Sequence, residues 1–370
     1  MQENTIPRVT VLIDTYNHEN FIERAVHSVL EQDMPMDNVE ILVVDDGSID
    51  RTPEIVLQFE PRVHLIRKAN GGQASAFNLG FSHARGEIVA TLDGDDWWAK
   101  GKLRRVLETL ESNPDVGIVG HGFHEEYSDG RLPGLILPGK PYYLHLTSEE
   151  NAELFRHLAA FFGTSRMTIR KRVLDRILPV PEELTIEADE YIFTLAPALG
   201  PAMILNEPLC NYVIHSGNLF QFGKFEPAKA RRKMNVLEVL LRELPPRLRQ
   251  IGATEDIIVT LFKGTRVEVG RARLSLDGGR PLEAFAVERA AFKASYHKVT
   301  LRYRVFQSFV LLQTLLLPPR VFYRLRRWYT EKGLSRFRSW TGEPAPAVQV
   351  IERRPGLKKN KYQDGQKLIE

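Results

Sequence analysis

Asp93-Gly94-Asp95-Asp96 puts three carboxylates within four residues. Like charges so close repel one another unless something positive sits between them. Hard oxygen ligands suit Mg2+ or Mn2+, and such an ion suits the phosphates of a nucleotide. Three other polar clusters sit in the same relation to the chain: Asp14-Thr15-Tyr16-Asn17, Asp45-Asp46-Gly47-Ser48 and Asn70-Gly71-Gly72-Gln73. Each follows a short apolar run, as the aspartate cluster does. Taken singly, Asp-Asp-Gly-Ser is also turn and helix-cap chemistry, and Asn-Gly-Gly is a frequent turn.

The apolar runs Val9–Ile13, Ile41–Val44, Val63–Ile66 and Ile88–Leu92 read as short buried strands, with a fifth at Val116–Val119. Helical stripes separate them. Phe21, Ile22, Ala25, Val26, Val29 and Leu30 mark a helix over 20–32, Thr52-Pro53 starts a second as cap and first residue, and 73–84 and 102–110 supply two more. Strand–helix alternation with continuously apolar strands predicts an α/β fold, a mostly parallel sheet covered on both faces. Ligands of such sheets bind beyond the carboxyl ends of the strands. The four polar clusters then share one edge and form one site.

Beyond Gly120 the rhythm breaks. The segment 129–141 reads as a loop, and Thr147-Ser148-Glu149-Glu150 has capping-box spacing and opens a helix to about Ala160. A helix over 190–199 and short strands at Ala202–Leu205 and Leu209–Ile214 follow. From Glu226 the pattern is helical to about Trp340, and 341–370 is expected to be an unpacked tail.

Fifty Lys and Arg against 47 Asp and Glu leave a net charge of +3, which argues against a dedicated nucleic-acid binder. The single cysteine, Cys210, excludes an internal disulfide and thiolate metal clusters, and points to a reducing, cytoplasmic setting. Met1–Val11 shows no secretory leader. The longest apolar stretch, Phe309–Leu317, is broken by Gln313 and Thr314 and is too short to cross a membrane. A dinucleotide dehydrogenase is excluded because Asp14–Asn20 contains no glycine. A nucleotidyltransferase would need a Gly- and Arg-rich phosphate loop there, which is also missing.

Together these motifs resemble the family 2 glycosyltransferases, inverting enzymes of the GT-A fold that use nucleotide-sugar donors. The resemblance runs from Pro7 to Asn218. It implies that Thr15, Tyr16 and Asn17 hold the base, and that Asp46 of Val-Asp-Asp-Gly-Ser meets base and ribose. Asn70 and Gln73, with Asn78 and Gly80, line the donor pocket. In the Asp-x-Asp motif, Asp93 favours the ribose and Asp95 binds the metal, with Asp96 extending the motif. Counting back from Gly200 puts Asp189 on the family's catalytic base, although Ala188 stands where the usual acidic neighbour would be, with Glu187 and Glu190 alongside. In His215-Ser216-Gly217-Asn218, His215 either completes the metal site or is a loop histidine bonded to backbone. Trp97-Trp98 either stacks on a sugar or acceptor or packs in the core. His121 and His124 read as acceptor-side or structural.

The implied organisation is a catalytic domain over 1–220, a helical basic region over 221–340 and a tail over 341–370. The implied activity is an inverting hexosyl transfer, dependent on Mn2+ or Mg2+, from a UDP-sugar to a glycan or lipid-linked acceptor in cell-surface polysaccharide assembly. Between Leu301 and Trp340, nine Arg and Lys face Glu331 alone among many aromatic and aliphatic residues. This mixture suggests either contact with the inner face of an anionic membrane or a helical appendage with solvated arginines. A non-catalytic nucleotide-sugar or glycan-binding subunit of a membrane complex is the competing function, supported by Ala188.

Overall fold

A computed structural model describes residues 7–128, 131, 134–215, 217–218, 226–295, 301–331 and 352–355. They fall into two compact units, one comprising Met1–His145, Leu158–Gln221 and Val350–Glu370, the other Leu146–His157 and Phe222–Gln349.

The first unit opens with β1 (Val9–Thr15), α1 (Ile22–Leu30), β2 (Val39–Asp45), α2 (Thr52–Leu57), β3 (His64–Arg67), α3 (Gln73–His83) and β4 (Ile88–Asp93). The strands are β-branched, apolar runs, and Val9, Val11, Leu12 and Ile13 of β1 are fully buried. They pair in the order β3-β2-β1-β4, all parallel, with Val9 opposite both Val39 and Ile88. α1 buries Ile22, Ala25, Val26 and Val29, the stripe expected from sequence. α2 begins at Thr52 with Pro53 second, so Thr52 is not the cap but the first helical residue. Its backbone N–H donates instead to Asp50 Oδ1 at 3.0 Å.

After β5 (Trp97–Trp98) and α4 (Lys102–Ser112), β6 runs from Ile118 to Tyr127, eight residues beyond the expected end at Val119. β7 (Gly134–Leu137) forms inside the segment read as a loop, pairing antiparallel with β6, and β8 (Tyr142–Leu144) follows. β9 (Thr168–Arg170) pairs antiparallel with both β4 and β6, so the sheet is parallel at its centre and mixed outside it. α6 (Lys171–Ile177) and α7 (Ala188–Leu199) lead to β10 (Ala202–Ile214). β10 unites the two strands expected there, and its register on β6 shifts on either side of Pro208, where the backbone lacks an N–H. β11 (Glu352–Pro355), within the segment read as an unpacked tail, pairs antiparallel with β7; the rest of 341–370 lies outside the described residues.

The second unit is helical among its described residues. Its α5 (Glu149–Leu158) comes from the region assigned to the catalytic domain on sequence. Polar contacts tie α5 there: Thr260 Oγ1 donates to Glu149 at 3.0 Å, and Lys263 Nζ pairs with Glu153 at 2.6 Å. Ser148 Oγ accepts the Asn151 N–H at 3.2 Å at the start of α5. The remaining helices are α8 (Pro227–Ile251), α9 (Glu255–Leu276), α10 (Pro281–Ser295), α11 (Leu301–Leu316) and α12 (Pro319–Glu331). No helix among the described residues is long and apolar enough to cross a membrane.

Candidate active site

The carboxyl ends of β1, β2, β3 and β4 do share one edge, because the four strands are parallel and paired in register. At the end of β1, Asn17 adopts φ 57°, a left-handed conformation that asparagine tolerates. Its N–H donates to Ser48 Oγ at 2.8 Å, and its Oδ1 accepts the Ile49 N–H at 2.9 Å. Asn17 therefore clamps the β1 end to the loop after β2. Thr15 is buried and Tyr16 exposed.

Asp46 is spent on its neighbours. Its Oδ1 accepts Lys68 Nζ at 2.7 Å and the Gly71 N–H at 2.9 Å, and its Oδ2 accepts the Gly72 N–H at 2.7 Å. Asn70 Nδ2 donates to the Asp46 carbonyl at 3.0 Å. These bonds fold the Asn-Gly-Gly turn over the β2 end. Gly72 has φ +84°, and a Cβ there would lie 2.6 Å from Thr185 Cα, so this turn requires glycine on two counts. Asp45 is the more deeply buried aspartate of the pair and accepts Arg67 Nε at 3.0 Å.

Gln73 ties three segments together. Its Nε2 lies 3.4 Å from Asp93 Oδ1 and 3.3 Å from Thr164 Oγ1, while its Oε1 accepts the Ala188 N–H at 2.9 Å. It thus joins β4, the turn Thr164–Arg166 and the first residue of α7. That first residue is Ala188, fully buried, which brings Asp189 to the helix N-terminus, where negative charge is favourable. Asp189 Oδ2 accepts the Thr164 N–H at 2.9 Å and lies 3.2 Å from Thr164 Oγ1. Burial raises its carboxyl above the ordinary range despite those bonds. Glu187 precedes the helix with φ 54°.

Asp93, Asp95 and Asp96 offer oxygen atoms that all lie within 4.8 Å of one another. Burial pushes the Asp96 carboxyl up to about 8, with Asp95 adding to it, and pushes Asp14 up to about 8, with Asp95 and Asp189 adding. Asp93 is raised by burial, then by Asp14 and Asp95. Asp95 moves the other way. Burial would raise it, but the bond from His215 and the charge of His18 outweigh that and hold it below the ordinary range. Its Oδ2 lies 3.0 Å from His215 Nε2 and 3.9 Å from His18 Nε2. The His215 ring stacks on Phe21 with centroids 4.3 Å apart.

This donor set fits a divalent ion: clustered carboxylates, of which Asp93 and Asp96 are raised by burial and mutual repulsion while Asp95 is lowered, an Asp14 Oδ1 buried without a partner, and imidazole nitrogen beside Asp95. The three ligands named from sequence differ in readiness. Asp95 lies centrally. Asp96 Oδ2 accepts Ser165 Oγ at 2.6 Å and its Oδ1 accepts the Val213 N–H at 2.8 Å, so it also fastens β10 to the 164 turn. His215 Nδ1 accepts the Gly217 N–H at 3.2 Å, a tautomer in which Nε2 carries the proton and donates to Asp95. As a ligand, His215 would have to give up the Gly217 bond.

The raised carboxyls predict a pH-dependent response to metal. Asp14 and Asp96 titrate near 8 when folded and near 3.8 otherwise, so between those values the folded chain binds more protons than the unfolded one. Stability of the metal-free protein is then expected to fall as pH rises through that window. Added Mn2+ should raise the melting temperature more at about pH 8 than at about pH 5, where protons compete for the same oxygens. Equal shifts at both pH values would contradict this.

Trp98 is buried, donating its indole N–H to the Ser165 carbonyl at 2.9 Å; it is a core residue. Trp97 lies under the Arg24 guanidinium, 3.9 Å from its ring, and donates to Glu126 at 3.0 Å. His121 is wholly buried and burial lowers it well below the usual imidazole range, which makes it structural. Four site residues went unread in the sequence: His18, Thr164, Ser165 and Arg166. The last lies over the Phe123 ring at 4.4 Å, and its charge bears on both Asp189 and Asp96. Gly163-Thr164-Ser165-Arg166 has no periodicity and follows no strand, so only its small hydroxyl residues could have drawn attention.

Residues 10–178 match the family model described as glycosyl transferase family 2. This stretch, just under half of the chain, belongs to that family. It is 33% identical over 226 residues to an uncharacterized glycosyltransferase, alr2836, of Nostoc sp., covering 57% of this chain and 66% of the relative. It is also 33% identical over 224 residues to the succinoglycan biosynthesis protein ExoO of Rhizobium meliloti, covering 57% of this chain and 61% of ExoO. The uncharacterized glycosyltransferase EpsJ of Bacillus subtilis is 36% identical over 155 residues, 41% of this chain and 44% of EpsJ. The matches thus span between under half and about two thirds of these relatives. Among solved structures, S. aureus TarS 1–349 in complex with UDP-GlcNAc has a TM-score of 0.49 at 18% identity, covering 78% of this chain and 88% of that 1–349 chain.

Proposed function

We propose that this chain is an inverting, metal-dependent glycosyltransferase that moves one hexose from a nucleotide-sugar, with UDP-sugars the first candidates, to an acceptor hydroxyl in polysaccharide or glycolipid assembly. One observation carries the reading. Thr164 Oγ1 lies 3.2 Å from Asp189 Oδ2 and 3.3 Å from Gln73 Nε2, which in turn lies 3.4 Å from Asp93 Oδ1, so short polar contacts link Asp189 to the aspartate cluster. This supports a base and a metal-competent cluster acting in one site.

An acceptor hydroxyl is a poor nucleophile, so a carboxylate must take its proton as the oxygen attacks the anomeric carbon. Asp189 fills that role: its raised affinity for a proton makes it a stronger base than an exposed carboxylate. The Thr164 N–H and hydroxyl fix its orientation. The bond from the anomeric carbon to the diphosphate oxygen breaks as the new bond forms, and its electron pair leaves with the nucleotide. A divalent ion held by Asp95, with Asp93, Asp96 or His215, would supply positive charge where that pair accumulates. Thr15, Tyr16, Asn17, Asp46 and Asn70 would hold the nucleoside. For Asp46 this means sharing oxygens already bonded to Gly71 and Gly72. A single displacement needs one base, unlike the carboxylate pair of a glycosidase.

The test is a panel of nucleotide-sugars with Mn2+ or Mg2+, scored by release of nucleoside diphosphate. Release from one donor, abolished by EDTA, is the expected result. Binding of a donor with no release, even with membrane extract supplying acceptor, would overturn the proposal in favour of a non-catalytic binding subunit.

A further inference from the structure

α11 is apolar on two sides: Val310 packs on the core of its own unit, and a second set of apolar residues, interrupted by Ser308, faces outward. The buried positions include Tyr303 and Thr314, and Gln307 Nε2 donates to the Tyr303 hydroxyl at 2.9 Å. Leu301, Val305, Phe309, Leu312, Leu315 and Leu316 are exposed, Leu301 at 77%, Phe309 at 56% and Leu316 at 71%. At 100° per residue these six fall within an arc of about 120°. Arg304 borders one side of that arc and Arg302 the other, and both are exposed.

α12 repeats the arrangement. Phe322 and Tyr323 enter a small core with Leu274 and Ala284, while Val321, Leu325 and Trp328, at spacings of four and three, face outward. Exposed Arg324 borders this stripe, and Arg320 lies beyond it. No Asp or Glu occurs from 301 to 330. Lys332, Arg336 and Arg338 of the same basic stretch lie outside the described residues.

An apolar stripe edged by arginines, with no acidic residue between 301 and 330 on the same two helices, complements an anionic lipid surface. Aliphatic and aromatic side chains enter the acyl boundary while guanidinium groups remain among the headgroups. We propose that α11 and α12 form a membrane-surface site for anionic lipid, with Phe309, Leu312, Leu316 and Trp328 inserting and Arg302, Arg304 and Arg324 pairing with lipid phosphate. The site stands on these helices alone and does not depend on the catalytic reading.

Flotation of the full chain with vesicles tests it, comparing pure phosphatidylcholine with a mixture containing phosphatidylglycerol. Wild type is expected to bind the anionic vesicles and to lose binding as salt rises. Phe309→Asp with Leu312→Asp should weaken binding about tenfold or more, and Arg302→Glu with Arg304→Glu should weaken it while lowering the salt sensitivity. All four positions are exposed, so melting temperatures should be unchanged. Absent binding at low salt, or binding by both double variants equal to that of wild type, would overturn the proposal. So would a concentration-dependent dimer lost in Phe309→Asp, which would assign the stripe to a second copy of the chain.

Discussion

Asp189→Asn is expected to lower turnover about 10²- to 10⁴-fold while leaving donor binding and the melting temperature nearly unchanged. Asparagine keeps an oxygen that accepts the Thr164 N–H, so the bond that orients the side chain survives. What it cannot do is accept a proton at neutral pH. The pH profile sharpens the expectation. In wild type at saturating metal, activity is expected to fall at low pH as Asp189 protonates, with burial placing that acid limb above the ordinary carboxylate value of 3.8. Under the same saturating metal, the residual activity of Asp189→Asn should lack this limb. Donor turnover that persists with the limb intact would move the base to Glu187 or Glu190, which flank Asp189 at the start of α7.

Asp95→Ala is expected to reduce activity to the level that wild type shows in EDTA, on the order of 10³-fold or more given what charge neutralisation of a leaving group contributes. It should also abolish the rise in melting temperature produced by Mn2+. Asp96→Ala should fail differently. It removes the acceptor of the Val213 N–H, leaving a buried donor without that partner at a cost of about 1–3 kcal/mol, while Ser165 Oγ keeps only its 3.4 Å contact with Asp93. A lowered melting temperature without metal is therefore the mark of Asp96, and a lost metal response with the fold intact is the mark of Asp95. If Asp95→Ala kept its Mn2+ response, the metal would have to sit elsewhere.

The parallel centre of the fold was legible because its strands are uniformly apolar and buried on both faces, as at Val9–Ile13 and Ile41–Val44. That same legibility located the strand-end clusters. What escaped was short or irregular. β9 has three residues, two of them polar, so no period exists to detect, yet it pairs with β4 and β6 and helps set the turn that holds Asp189. The 164 turn contributes through backbone and hydroxyl groups, which leave little mark on composition. β10 read as two strands because Asn206-Glu207-Pro208 interrupts its apolar pattern, whereas the bulge absorbs that interruption. Residue types also underdetermined roles: Asp46 and Gln73 read as donor contacts, and in the folded chain both are engaged in holding loops together. His18, three residues after Thr15, gave no signal, because only the fold brings its ring toward Asp95.

The central claim is a single displacement in which one carboxylate deprotonates the acceptor opposite a metal-held donor. The anomeric configuration of the product, read by NMR after transfer from whichever donor the panel identifies, tests it most directly. Inversion is expected, a β-linked product from an α-linked donor, with no glycosyl-enzyme trapped at any point. Retention would require a second displacement and a nucleophile that the site does not assign, and would contradict Asp189 as a base acting alone.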